Sequence, residues 1–101
     1  MQKNNIAVSA RDEQRKVSIN AMYYGLEEVF YPTNKYYPTT IDENNLPSVD
    51  PALFTDPDKF ILGESGSNYV YEPTDCKDGK CTAYTLRASL ENEADFIKTN
   101  K

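Results

Sequence analysis

From residue 19 onward, apolar side chains recur at Ile19, Met22, Tyr23, Leu26, Val29 and Phe30. That spacing of three and four lines one face of an α-helix, and a chain carrying such a face must cover it with a core. Projected back toward the N-terminus, the same stripe meets Lys16, Arg15 and Asp12, and only then Val8. Ala10–Lys16 holds no helix breaker, so the helix is expected to continue there with a charged face and no core-facing surface. The spacing predicts a helix from Ile6 to Tyr31, about 39 Å long at 1.5 Å per residue. Pro32 is expected to end it, because a residue preceding proline is pushed out of the α region. Gly25 costs up to about 1 kcal/mol relative to Ala inside a helix, and it is expected where a neighbouring group approaches closely. A helix seated at one end and bare at the other belongs to a protein that assembles.

At 101 residues the chain reads as one domain. Apolar residues make up 39% and aromatics 12%, eight of them Tyr, which excludes wholesale disorder. Sixteen acidic against eleven basic residues leave a net charge of −5; this argues against nucleic acid as the main partner and reads mostly as a solubilising surface. No stretch approaches the roughly 20 apolar residues that span a bilayer, and no signal-peptide apolar region occurs. Met1 directly precedes a polar, helix-compatible stretch without a clear N-cap. It reads as a start inside a longer helix, with a hydrophobic segment expected upstream.

Residues 31–57 read as a punctuated loop carrying prolines 32, 38, 47, 51 and 57. A loop of that length in a small domain is functional or well packed. Tyr36, Tyr37, Ile41, Leu46, Val49, Leu53 and Phe54 are expected to tether it to the core, with a short helical turn at Pro51–Phe54. Phe60–Leu62 reads as a short extended piece entering a flexible turn. A hairpin follows, with Asn68–Glu72 bounded by Pro73 as its first strand. In Thr82–Leu90, Tyr84, Leu86, Ala88 and Leu90 alternate with Ala83, Thr85, Arg87 and Ser89, the pattern of a sheet buried on one face. In the tail Glu91–Lys101, Phe96 and Ile97 are expected to close the sheet edge or cap the core. The fold class is α+β: a long N-terminal helix packed on a small antiparallel β-sheet, joined by a long proline-rich connecting loop. The single domain 1–101 divides into helix 1–31, packed loop region 32–66, hairpin 67–90 and tail 91–101.

Both cysteines lie at the hairpin tip, in Cys76-Lys77-Asp78-Gly79-Lys80-Cys81. Asp-Gly in the middle of a four-residue loop is a turn signal, so a disulfide across the tip is geometrically reasonable. It is the first expectation and implies an oxidising, extracytoplasmic compartment. Free thiols stay open as an alternative, and after them a redox or metal role. A zinc site is disfavoured because the chain has neither a second Cys pair nor any His. A redox pair is disfavoured because the spacing is not Cys-x-x-Cys at a helix start.

The absence of His removes the commonest general base, and no Ser or Cys nucleophile has an evident partner. Glu27 and Glu28 point about 100° apart on a helix and read as a solvated edge. Asp56-Pro57-Asp58 reads as a turn, with a calcium site as its minor alternative; Glu64, Ser65 and Ser67 nearby do not form a recognised calcium loop. Gly63-Glu64-Ser65-Gly66 lacks the spacing and the Lys of a phosphate cradle. No catalytic residue, cofactor or metal is expected, and the chain is read as no enzyme.

Taken together, Arg11-Asp12-Glu13-Gln14-Arg15-Lys16, Ile19-Asn20-Ala21, Leu26-Glu27, Phe30-Tyr31 and Tyr36-Tyr37-Pro38 resemble one pattern. It is similar to the segment that follows the hydrophobic helix of bacterial type IV pilins and type II secretion pseudopilins. The likeness covers about 30 residues well; beyond them it is architectural. It implies a pilin-like fold in which 1–31 is the C-terminal half of the long helix. It implies a structural subunit of an extracellular pilus, serving motility, adhesion or DNA uptake, that homo-oligomerises through the helix alongside other pilins. In this family the precursor is membrane-anchored before assembly. The bare charged positions Arg11, Asp12, Arg15 and Lys16 then become the expected assembly surface. The sequence departs from the family in lacking the prepilin-peptidase site and the hydrophobic stretch. It also lacks the C-terminal calcium loop of the major pseudopilin, where the Cys76–Cys81 hairpin stands instead, and this favours a pilin over a secretion pseudopilin. A minor pilin or secreted adhesion module, whose Tyr31–Pro57 loop contacts a host surface, a glycan or DNA, is the other reading.

Overall fold

The computed structural model describes residues 2–91 and 93–100, with side chains from Val8 onward; the expectation placed on Met1 lies outside the described residues. Helix α1 spans Gln2–Tyr24, runs into a π-helical turn at Gly25–Phe30, and finishes in one further α-turn at Tyr31–Asn34. Its Ile19, Met22 and Leu26 are buried against a three-stranded antiparallel sheet of order β1-β2-β3. The strands are β1 (Tyr69–Lys77), β2 (Lys80–Ala88) and β3 (Phe96–Thr99). The architecture is α+β, one long helix laid on a small sheet. No helix among the described residues is long and apolar enough to cross a membrane.

The π-turn explains where the expected helix face fails. The Tyr31 N–H bonds back to the Leu26 carbonyl, five residues rather than four, which inserts one extra residue into the turn. The apolar register slips beyond Leu26. Val29, expected inside, is 44% exposed, while Glu27 is buried; Tyr23 and Phe30 are half-buried and pack on the core's edge. Pro32 does not end the helix either. With the ladder already re-registered, it sits in the first positions of a new α-turn, where a missing N–H costs nothing. The end comes at Lys35, whose left-handed φ of 66° lets its N–H cap the Tyr31 carbonyl.

Gly25 sits under the segment that follows. A Cβ built there would lie 2.8 Å from Val49 Cγ2, so the close approach expected of this glycine is that of a valine methyl. Ile41, Leu46, Val49 and Phe54 bring the stretch between α1 and β1 into the core. Pro51–Phe54 forms the expected helical turn, as a 3₁₀ helix capped by the Asp50 side chain on Ala52 N–H. Phe60–Leu62 is not an extended strand; only an isolated bridge joins Thr55 to Ile61.

The hairpin is longer and tighter than expected. Cα partners run from Tyr69↔Ala88 to Lys77↔Lys80, leaving Asp78–Gly79 as a two-residue turn. Both turn residues have positive φ, 54° and 80°, the geometry whose twist matches the flanking strands. Pro73 lies within β1, opposite Tyr84, rather than bounding it; an edge strand tolerates proline because one N–H row faces away from the sheet. Tyr84, Leu86 and Ala88 form the buried face of β2, as their alternation predicts, although the strand ends before Leu90. Phe96–Thr99 pairs with β2 as the closing strand, its Phe96 against the core and its Ile97 exposed.

Candidate functional site

The charged half of α1 is where structure and expectation part most clearly. Asp12 and Arg15 are each only 1% exposed. Their helical spacing does put them on the Ile19 stripe, but that stripe is covered by polar partners instead of being bare. Arg15 donates through Nη1 to Asp12 Oδ1 at 2.8 Å and to Glu91 Oε2 at 2.7 Å, and through Nε to Asn68 Oδ1 at 2.7 Å. Asp12 Oδ1 also accepts the Glu91 backbone N–H at 2.9 Å. Arg11 closes on the Glu91 carboxylate with two bonds, of 2.6 and 2.7 Å, and Lys16 reaches Glu93 at 2.8 Å.

The four residues expected as an assembly surface therefore clamp the chain's own β2–β3 connection onto the helix. A buried guanidinium is stable only when its donors are matched; here Nε and Nη1 are hydrogen-bonded, and Asp58 Oδ2 lies 3.6 Å from Nη2. The Glu91 carboxyl, hydrogen-bonded first by Arg11 and then by Arg15, is held down to about 2. For Arg15, burial pulls its pKa down, but the bonds to Glu91 and Asp12 outweigh this and raise it.

A second polar cluster lies inside the core. Glu27 accepts from Tyr37 Oη at 2.9 Å and from Tyr84 Oη at 2.7 Å, so a carboxylate expected on a solvated edge is satisfied by two phenols. Burial, followed by the neighbouring carboxylate, pushes both phenols above their ordinary range. Ser18 Oγ and Tyr69 Oη are buried without a partner of good hydrogen-bond geometry. Asp56 is a scaffold residue: its carboxylate accepts the N–H groups of Phe60 and Asn68. Among the described residues no group of three or more His, Cys, Asp or Glu is placed to hold a metal ion.

Cys76 and Cys81 are joined by a disulfide at the hairpin tip. They are paired across the β1–β2 register, and Cys81 also exchanges two backbone bonds with Tyr37. Lys80 Nζ sits 5.4 Å over the Tyr36 ring, which ties the helix's end to the tip.

What α1 leaves free is a different face from the charged one. Val17 is 56% and Tyr24 60% exposed, and Tyr24 and Val29 flank an open groove. Tyr24, Gly25, Val29, Val49 and Leu53 line that groove, with Glu28 and Asp50 at its rim. A larger open cleft of about 560 Å³ lies between residues 39–42, the 62–67 turn and Tyr69–Tyr71. The sequence missed Glu91, Asn68 and Glu27 as partners. A signal existed for the burial of Arg15, one helical turn from Ile19 on the buried stripe, but none for Glu91 and Asn68 as its partners, 76 and 53 residues away. For Glu27 there was none, because its burial follows from the π-turn. No family model matches the chain, and no significant match was found among curated proteins or solved structures.

Proposed function

We propose that this chain is the globular part of a structural subunit of an extracellular type IV pilus-like filament, polymerising through its N-terminal helix and serving surface motility, adhesion or DNA uptake. The observation that carries the reading is that α1 reaches beyond the body it packs on. Ser9 and Ala10 are exposed, and the first side chains fastened to the sheet connection are Arg11 and Asp12. Two further observations support it. The described helix presents a second apolar stripe to solvent, through Val17, Tyr24 and Val29, and the disulfide suits an oxidising compartment.

In this reading the clamp has a mechanical role. Load entering at the projecting end of α1 passes to the sheet through Arg11, Arg15 and Lys16 as well as through the apolar core. The precursor is membrane-anchored, and the chain acts by assembling with copies of itself and other pilins, not by turning over a substrate. Deleting the gene should abolish surface filaments, and re-expression should restore them. Unchanged filaments and unchanged secretion in the deletion strain would reject both this reading and that of a type II secretion pseudopilin.

A further inference from the structure

The outer end of the hairpin is joined to the rest of the sheet by an interrupted ladder. Cross-strand pairing runs without a gap from Tyr69↔Ala88 to Thr74↔Ala83 and then skips Asp75 and Thr82. It resumes for only two pairs, Cys76↔Cys81 and Lys77↔Lys80. At the gap Asp75 lies in the left-handed region, φ 54°, away from the extended geometry that strand pairing needs. Two residue pairs and a turn do not hold together by themselves in water, so the tip depends on its other fastenings. These are the Cys76–Cys81 disulfide, the backbone bonds of 2.8 and 2.9 Å that Cys81 exchanges with Tyr37, and Lys80 over the Tyr36 ring. Tyr37 is bound in turn through its Oη to Glu27 on the π-turn. The bridge is lopsided: Cys81 is fully buried and Cys76 is exposed. The charges around it, Lys77 and Lys80 with Asp75 and Asp78, balance one another.

We propose that the Cys76–Cys81 bridge is a reversible redox latch: its reduction releases the tip beyond Asp75, and with it the Lys35–Tyr37 strap at the helix's end, while the rest of the domain stays folded. The latch goes beyond the subunit reading and does not depend on it. A bridge that closes only four residues restrains the unfolded chain little, so what it holds is local structure rather than the whole fold. Exposed disulfides are the ones open to thiol exchange. The thiolate of a dithiol reductant attacks the Sγ of Cys76, the S–S bond breaks, and Cys81 leaves as a thiolate that takes up a proton. The reductant's second thiol then displaces Cys76 in the same way. Two cysteine thiols form, the dithiol becomes a disulfide, and two electrons have passed. The pairs from Tyr69↔Ala88 to Thr74↔Ala83 remain, as does the bond from Tyr84 to Glu27. Tyr37 loses its backbone anchor and keeps only its phenol's bond.

Incubating the purified chain without denaturant in graded mixtures of reduced and oxidised dithiothreitol tests this. Thiols are counted by alkylation and mass, and amide hydrogen exchange is followed residue by residue. The latch predicts that both thiols appear in the folded chain and that the Cys81 and Tyr37 amides exchange about tenfold faster or more. The Leu26 and Leu86 amides should keep their rates, and reoxidation should restore the slow pattern. Cys76→Ser, at the exposed position, should show the fast pattern without reductant and ignore added dithiol. Thiols that appear only in denaturant would make the bridge a staple and overturn the latch. So would reduction that leaves Tyr37 and Cys81 protected, or core amides that speed up together with the tip. A Cys76→Ser chain with the protection of the oxidised native chain would overturn it as well.

Discussion

At the scale of single residues, Arg15 is the clearest lesson. Its position one turn before Ile19 places it on the buried stripe, and its charge argues for solvent; the fold satisfies both by bringing Glu91 and Asn68 to it. Arg15→Ala should therefore cost on the order of 3–5 kcal/mol, the penalty for leaving Asp12 buried and its partners unmatched. Arg11→Ala, at a half-exposed and solvent-screened pair, should cost far less. Urea unfolding of the two variants separates them, and equal midpoints would place the clamp outside the folded core. Gly25→Ala should destabilise by about 1–3 kcal/mol by overpacking, even though Ala is the better helix former, because its Cβ meets Val49 at 2.8 Å. A more stable alanine variant would mean that Val49 yields without cost. Tyr84→Phe removes one of two donors to buried Glu27 and should cost about 1–3 kcal/mol, read from its thermal midpoint.

At the scale of elements, the π-turn decides most of what the helix presents. Up to Leu26 the three-and-four spacing holds, and Ile19, Met22 and Leu26 are buried as the period requires. After the π-turn, helical periodicity no longer describes the chain, which is why Val29 faces out and Glu27 faces in. Such a turn leaves no local mark in sequence, whereas the Asp78–Gly79 turn and the β2 alternation are written in residue types with defined geometry. Pro73 misled because proline marks a strand's end only where its N–H is needed. Lys35, non-glycine at a left-handed helix end, offers a simple check: Lys35→Gly should stabilise by about 0.5–1 kcal/mol, relieving the Cβ penalty.

The β2–β3 connection carries its own pH signature. The Glu91 carboxyl falls from 4.5 to about 2 in the folded chain. A depressed carboxyl contributes stability above its unfolded value and loses it as pH falls through the folded one. The stability gap between the native chain and Glu91→Gln should thus be full at neutral pH and narrow as pH drops from about 4.5 toward 2. A gap that does not change with pH would remove the ion pairs from the account.

At the scale of the whole molecule, the division into helix, connecting segment, hairpin and tail was legible because each part carries its own periodicity or turn chemistry. The candidate site was legible only in part. The position of Asp12 and Arg15 on the helix was readable, but their partners lie about 50 to 80 residues away in sequence, and no local pattern pairs residues at that distance. The charged residues expected as an assembly surface thus form an internal clamp, and the apolar residues that the described helix leaves to solvent are Val17, Tyr24 and Val29. The central claim is that this chain is built into a surface filament. Filaments sheared from the cells that produce it, purified and labelled with antibody against the folded chain, test that directly. The account predicts label at regular intervals along the filament and the intact chain among its components. Filaments free of the chain, with the protein recovered only from the medium or from within the cell, would contradict it.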